Sequence, residues 1–177
     1  MKIAIAGTGY VGLANGLLLA QHHDVYAYDI VPEKVDRLNS GRSPVVDADI
    51  EEYLQKDTIS FRATTNAAEA FCGAAYIIIA TPTDYDAKRN FFDTSSIEDV
   101  LGKIIKLNPT ANIVIKSTIP VGYTRSIQKY YSLENIFFAP EFLREGKALH
   151  DNLYPSRIVV SYPKDCESLK EKAETFA

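Results

Sequence analysis

The sequence predicts a doubly wound α/β fold, with a mostly parallel, Rossmann-type sheet and helices on both faces. Short apolar runs rich in β-branched residues alternate with stretches of helical length along the whole chain. Some of these runs, such as Tyr76–Ala80 and Ile113–Ile115, are apolar throughout, as expected of strands covered on both faces. A glycine-rich turn at residues 7–12 joins the first apolar run to the first helical stretch.

The individual elements follow from this alternation. The predicted strands are Lys2–Ala6, Val25–Asp29, Ile59–Ala63, Tyr76–Thr81, Asn112–Ser117, Ile136–Ala139 and Arg157–Tyr162. The predicted helices are Tyr10–His22, Pro32–Asn39, Asp49–Gln55, Ala67–Cys72, Ser95–Leu107, Thr124–Tyr131, Glu141–Leu149 and Asp165–Phe176. Asp93, Thr94 and Ser95 offer N-caps to the helix that follows them, and Gly41 is a stop signal after the second helix.

The composition excludes several classes of function. The 177 residues suffice for one domain, and a formal net charge of −4 argues against a nucleic-acid partner or an anionic membrane. No apolar run approaches the roughly 20 residues that span a bilayer. Cys72 and Cys166 are far apart and the three histidines lack metal-site spacing, so we expect reduced thiols, no metal site and a cytoplasmic protein.

The glycine turn predicts a dinucleotide site. Gly7 makes the tight turn, Gly9 lets the backbone approach a pyrophosphate, and Gly12 lets helix and strand pack closely. The phosphates would then meet free N–H groups at the positive end of the helix dipole. The motif alone is weak, but here it lies between strand and helix, and Asp29 ends the second strand about 20 residues further on.

Asp29 also predicts which dinucleotide binds. Its carboxylate can accept hydrogen bonds from a ribose 2′-hydroxyl, whereas the 2′-phosphate of NADP would bring two anions together without a nearby arginine. We therefore expect NAD rather than NADP or FAD. Lys34 is close enough in sequence to reach the ribose or a phosphate, and an ordinary exposed lysine is an equally good interpretation.

A second cluster of polar residues follows three later strands, where open α/β sheets bind their ligands. Its members are Thr83, Thr118, Glu141, Arg144 and Glu145. Glu141 and Glu145 would share one face if this segment is helical, and a general base could come from this group. Equally, Thr118 could cap the next helix and the glutamates could simply occupy a helix N-terminus.

Four segments resemble, in order and spacing, the N-terminal domain of the UDP-glucose/GDP-mannose dehydrogenase family. They are MKIAIAGTGYVGL, IATPTDYD, IKSTIPVGYTR and FAPEFLREGKALHDNLYPSRIVV, and the resemblance covers essentially all 177 residues. The last segment is far more specific than the glycine motif and favours UDP-glucose over UDP-N-acetylmannosamine or GDP-mannose. The family oxidises a sugar C6 alcohol to the uronate through a cysteine thioester, while two NAD are reduced.

The resemblance also implies roles for particular residues. The pyrophosphate of the cofactor would be bound by Gly7, Gly9, Tyr10, Val11 and Gly12. Its adenosine ribose would be bound by Asp29 and Lys34. Thr83, Thr118 and Glu145 would line the cofactor toward the nicotinamide. Thr118 and Glu141 would position and activate the hydrolytic water. One wall of the sugar site would comprise Glu141, Phe142, Leu143, Arg144 and Glu145.

The family's nucleophilic cysteine has no counterpart here, because neither Cys72 nor Cys166 lies in a matching context. The last predicted helix stops one residue before Ala177 without a cap, which favours a piece of a longer, homodimeric enzyme over a native C-terminus. The piece itself, a candidate monomer, would lack the central helix and C-terminal domain and be inactive alone. The alternatives are another nucleotide-sugar 6-dehydrogenase or a non-catalytic NAD-sensing domain, against which the polar cluster counts.

Overall fold

The computed structural model describes residues 1–88, 91–163 and 166–177 and contains two sheets. The strands are β1 (Lys2–Ala6), β2 (Asp24–Tyr28), β3 (Phe61–Thr64), β4 (Tyr76–Ile79), β5 (Asp84–Asp86), β6 (Phe91–Asp93), β7 (Asn112–Ile115) and β8 (Ile136–Phe138). The helices are α1 (Tyr10–Ala20), α2 (Pro32–Asn39), α3 (Ala48–Leu54), α4 (Ala67–Phe71), α5 (Ser95–Leu107), α6 (Tyr123–Tyr131), α7 (Ala148–Leu153) and α8 (Glu167–Phe176).

The main sheet has six strands in the order β3-β2-β1-β4-β7-β8, and all of its pairings are parallel. This is the order of a dinucleotide-binding sheet, with the switch point between β1 and β4. The predicted doubly wound fold is therefore confirmed. The carboxyl ends of β1, β2, β4 and β7 meet along one edge, where a ligand would bind.

Both faces of the sheet are covered, which explains the continuous apolar strands. Alternate side chains of β1 enter different cores: Ile3 and Ile5 join one, and Ala4 and Ala6 join the other. The first core includes residues of α1, α3, α7 and α8, and the second includes residues of α4, α5 and α6. None of the helices in the described ranges is both long and apolar enough to cross a membrane.

One predicted strand is wrong, and two observed strands were not predicted. The run Arg157–Tyr162 is not a strand, and its one sheet-like contact is an isolated antiparallel bridge between Ser161 and Phe138. Ile158 and Val159 are exposed, so the β-branched run lacks the burial that stabilises a strand. The prediction also missed β5 and β6, which pair as a short antiparallel hairpin after β4.

The predicted helix Glu141–Leu149 was wrong over most of its length, because helical structure starts only at Ala148. Gly146 has a φ of +78°, a left-handed conformation that a helix cannot continue through. Asp47 fixes the new start: its Oδ2 accepts a hydrogen bond of 2.6 Å from the Ala148 N–H. Glu141 and Glu145 therefore do not share a helix face.

The other predicted helices are present, and their ends differ from the predicted ones by at most two residues. For example, α1 ends at Ala20 rather than at His22, and Gly41 follows α2 with a φ of +72°. The predicted start of the last helix at Asp165 lies outside the described residues, and α8 is described from Glu167. Its apolar stripe packs inward, with Leu169 and Ala173 buried in the first core.

Candidate functional site: a dinucleotide cleft with a buried carboxylate beside it

The glycine turn is shaped so that a phosphate could approach the backbone. Gly7 has a φ of +99°, and a Cβ there would lie 2.6 Å from the carbonyl oxygen of Ala80. A Cβ on Gly12 would lie 1.9 Å from the Gly7 carbonyl oxygen, so only glycine lets α1 pack so closely. Gly9 is different, because nothing described lies within 4 Å of its Cβ position. That open space is on the ligand side of the turn.

The N-terminus of α1 is available to an anion. Gly9 is the N-cap, and no side chain in the described part of the protein caps this helix. The first N–H groups of α1 are therefore left for a ligand, and the helix dipole adds a positive field. Together with the space over Gly9, this arrangement fits the pyrophosphate of a dinucleotide.

Asp29 lies just beyond the end of β2 and is almost fully buried. Its Oδ2 accepts hydrogen bonds from the backbone N–H and the hydroxyl of Thr8, and its Oδ1 accepts one of 3.0 Å from the Val31 N–H. Lys34 reaches the same carboxylate, with 3.8 Å between Nζ and Oδ2. Lys34 is thus paired with Asp29 rather than being an unattached surface lysine.

A cleft of about 580 Å³ runs along the carboxyl ends of the strands. Nine of the ten predicted cofactor residues line it: Gly7, Gly9, Tyr10, Val11, Asp29, Lys34, Thr83, Thr118 and Glu145. The tenth, Gly12, lies behind the turn. Asp29 follows β2 and Thr118 follows β7, three strand positions away, so about 14 Å separates them at the usual strand spacing. The cleft is long enough for an extended ligand.

At the end of the cleft that lies near β4 and β7, hydrogen bonds connect the segments that follow these two strands. The Ser117 hydroxyl donates to the Thr81 carbonyl over 2.7 Å, and the Thr83 hydroxyl donates to the Thr118 carbonyl over 2.9 Å. Ser96 at the start of α5 donates to the Pro82 carbonyl over 2.7 Å. The helix after β7 is capped by Gly122, so the alternative in which Thr118 caps it is wrong. Thr118 is exposed at the cleft.

Glu141 lies in a buried polar cluster that sequence reasoning missed. Its Oε2 accepts hydrogen bonds of 3.0 Å from the Lys116 ammonium and 2.8 Å from the Asn15 amide. Its Oε1 accepts one of 3.2 Å from the Phe142 N–H. The Lys116 and Glu141 side chains are only 8% and 17% exposed, so this is a largely buried ion pair. Glu141 does not sit at a helix N-terminus, because α7 starts at Ala148.

Lys116 connects this cluster to the cofactor cleft, since it lines the cleft and also binds Glu141. The sequence offered two signals for the cluster. Lys116 directly follows the apolar strand β7, and Asn15 interrupts the apolar sequence of α1. Neither signal identifies a partner, because Asn15 and Glu141 are 126 positions apart in the chain.

The other predicted substrate residues are more dispersed. Phe142 is 53% exposed and stacks against the Arg157 guanidinium at 4.2 Å, whereas Leu143 packs against the first core. Arg144 forms a bidentate ion pair with Asp151, in which the shortest N–O distance is 2.7 Å. The Arg144 guanidinium lowers the pKa of the Asp151 carboxyl well below its usual value. Within this group only Glu145 lines the cleft.

Two further predictions can be compared with the described residues. Cys72 and Cys166 are both free thiols, and neither belongs to the described lining of the cleft. Within residues 1–88, 91–163 and 166–177, no three His, Cys, Asp or Glu side chains are grouped so that they could hold a metal ion.

Similarity to known proteins extends over nearly the whole chain. Residues 1–175 match the model of the UDP-glucose/GDP-mannose dehydrogenase family, NAD binding domain. This chain belongs to that family. Its cofactor is accordingly NAD, and the glycine turn, the uncapped α1 terminus and Asp29 fit that molecule. Gly7, Gly9 and the first turn of α1 would hold its pyrophosphate, and Asp29 its adenosine ribose.

Among relatives, a UDP-glucose 6-dehydrogenase of Streptococcus pneumoniae is 49% identical over 177 residues, which is 100% of this chain and 45% of that protein. One from Campylobacter jejuni is 48% identical over 162 residues, 90% of this chain and 41% of that protein. This family member therefore spans less than half the length of these relatives.

Solved structures show the same fold. A UDP-glucose dehydrogenase from Pyrobaculum islandicum superposes with a TM-score of 0.84 at 28% identity, covering 99% of this chain and 42% of that one. A GDP-mannose dehydrogenase from Pseudomonas aeruginosa gives a TM-score of 0.83 at 27% identity, covering 99% of this chain and 44% of that one.

Proposed function

We propose that this family member is the cofactor-binding domain of a UDP-glucose 6-dehydrogenase. The longer enzyme would oxidise the C6 alcohol of UDP-glucose to the carboxylate of UDP-glucuronate. We propose residues 1–177 as one Rossmann-like domain of that enzyme, which would be a cytoplasmic homodimer. The observation that carries the proposal is that Lys116 both lines the cleft and binds the buried Glu141. This contact supports a role for the Glu141 carboxylate next to the cleft that would hold the cofactor.

When bound, NAD would supply the chemistry as the hydride acceptor of each of the two oxidations. The residues of this chain would hold it in place. Gly7, Gly9 and the first turn of α1 would bind the pyrophosphate, and Asp29 with Lys34 would bind the ribose. Thr83 and Glu145 would contact the end of the cofactor nearer to β7.

Glu141 is proposed to act on water in the final hydrolysis. Its Oε2 already accepts two hydrogen bonds, but its Oε1 accepts only one from the described protein, that of the Phe142 N–H. A carboxylate oxygen can accept two, so Oε1 keeps a site that can take a proton from a water molecule. The exposed Thr118 hydroxyl would orient that water. Neither Cys72 nor Cys166 lines the cleft, so the thiol that carries the acyl group is proposed to come from another part of the longer enzyme.

The sugar specificity is a proposal supported by the relatives. The two proteins at 48–49% identity are UDP-glucose 6-dehydrogenases, whereas the GDP-mannose enzyme is 27% identical. An enzyme specific for another sugar nucleotide is the second candidate, supported by the equal fold similarity of that enzyme. A non-catalytic NAD-sensing domain has less support, because the relatives at 48–49% identity are UDP-glucose 6-dehydrogenases.

The test is to measure NADH formation by the longer enzyme with UDP-glucose, UDP-N-acetylmannosamine and GDP-mannose. We expect kcat/KM for UDP-glucose to exceed the others by at least about 100-fold, since a site built to bind a hydroxyl rejects analogues strongly. Two NADH per UDP-glucose should form. A higher kcat/KM for either competitor would refute the sugar assignment, and no NADH with any of them would refute the enzyme assignment.

A further inference from the structure

The glycine turn and the ribose carboxylate are joined by one buried side chain, that of Thr8. Thr8 lies between Gly7 and Gly9 and is 1% exposed. Both its backbone N–H and its hydroxyl donate to Oδ2 of Asp29, 21 residues later in the chain. The glycine motif accepts many residues at this position, so the motif itself does not predict the hydroxyl.

The bonds of Asp29 determine which of its acceptor sites is left. A carboxylate has about four acceptor sites, two on each oxygen. Thr8 occupies both sites of Oδ2, and the Val31 N–H occupies one site of Oδ1. The remaining site is the second one on Oδ1. Because Asp29 is only 7% exposed and tied at three points, its carboxylate has little freedom to turn.

We propose that Thr8 is a positioning residue that determines the preference for NAD over NADP. Its hydroxyl fixes the Asp29 carboxylate so that the remaining Oδ1 site accepts the ribose 2′-hydroxyl. The same bond keeps the carboxylate from turning away from a 2′-phosphate, so the repulsion between the two anions persists. The inference rests on NAD binding by this family and is independent of the proposed sugar oxidation.

Lys34 explains why loss of the Thr8 hydroxyl should weaken the binding of NAD more than that of NADP. Its ammonium is 3.8 Å from Asp29 Oδ2 and its side chain is 41% exposed, so it can move toward a 2′-phosphate. In Thr8→Val the shape of the side chain is kept and the hydroxyl is lost. The Asp29 carboxylate can then rotate, which weakens its bond to the ribose and relieves its repulsion of NADP.

The test measures Kd of this chain for NAD, NADP and 2′-deoxy-NAD by titration calorimetry. For Thr8→Val we expect Kd for NAD to rise about 5- to 20-fold and Kd for NADP to change less than about 3-fold, in keeping with an indirect effect on one charged hydrogen bond. The loss should largely disappear with 2′-deoxy-NAD, which lacks the hydroxyl that Asp29 would bind. Thr8→Ser should restore both the affinity and the preference.

Thr83→Val is the matched control. Thr83 also lines the cleft, but its hydroxyl donates to the Thr118 carbonyl and not to Asp29. It should weaken NAD and 2′-deoxy-NAD by the same factor. Equal losses for all three ligands in Thr8→Val, or no loss for NAD, would overturn the proposal. If Thr8→Val does not fold, Thr8→Ala repeats the cycle. Failure of both to fold would also overturn it, because the hydroxyl would then serve the fold alone.

Discussion

Lys116→Met tests the buried ion pair between Lys116, which lines the cleft, and Glu141. The substitution removes the ammonium while keeping an unbranched stem. The pair has an N–O distance of 3.0 Å and its side chains are 8% and 17% exposed. Removing one partner of a buried pair costs about 3–5 kcal/mol. Glu141 keeps its bonds from Asn15 and Phe142, so we expect a loss of about 2–3 kcal/mol in unfolding free energy. For a chain of 177 residues this lowers Tm by about 5–10 °C.

The assay is urea denaturation of this chain followed by circular dichroism, combined in a double-mutant cycle with Glu141→Gln. In the double variant the Glu141 charge that Lys116→Met leaves without its partner is also removed. Its loss of unfolding free energy should therefore be smaller than the sum of the losses of the two single variants, by at least about 1 kcal/mol. Lys103→Met is the matched control, since Lys103 lines the same cleft and pairs with no carboxylate in the described ranges. It should change the unfolding free energy by less than about 0.5 kcal/mol. The reasoning would be refuted if Lys116→Met lost equally little unfolding free energy, or if the losses of Lys116→Met and Glu141→Gln were additive in the double variant.

Four further predictions follow from the site. In the longer enzyme, Glu141→Gln should lower turnover by roughly 10²–10⁴-fold while the first NADH burst and a trapped acyl-enzyme remain, measured by stopped flow and mass spectrometry; loss of the burst would contradict a role in hydrolysis. Thr118→Ala should behave similarly but more mildly, because a hydroxyl only orients water, and a turnover equal to that of the unmutated enzyme would remove it from the mechanism. UDP-glucose should bind this chain alone weakly or undetectably in calorimetry, since the chain would supply only one wall of the proposed sugar site, and micromolar binding would contradict this. Because Arg144 holds the pKa of Asp151 below its usual 3.8, their pair should stabilise the fold above about pH 4 and lose its effect as the pH falls further; Asp151→Asn should flatten this acid limb of a Tm–pH curve, and an unchanged curve would contradict it.

Much of the fold was predictable because its determinants are local. The glycine turn, the continuous apolar strands and Gly41 each act over a few residues, and all appear where expected. The predicted helix Glu141–Leu149 failed for a nonlocal reason. Asp47, about 100 residues earlier, caps the chain at Ala148, while Gly146 breaks the helix before it.

In the site, too, the local features were predictable and the contacts between distant residues were not. Residues that line the cleft could be predicted from the ends of strands, because parallel strands bring those ends together. The partners of these residues could not be read this way. The bond between Thr8 and Asp29 and the bonds of Lys116 and Asn15 to Glu141 depend on side chains that meet only in the folded sheet.

Calorimetric titration of the unmutated chain with NAD and NADP tests the central claim most directly. Asp29 has one acceptor site left and no arginine among its described partners, which predicts a preference for NAD over NADP. Kd for NAD should be at least about 10-fold lower than for NADP, the effect of one charged hydrogen bond gained and one repulsion avoided. Asp29→Asn should narrow that difference. Equal affinities for NAD and NADP in the unmutated chain would contradict the account.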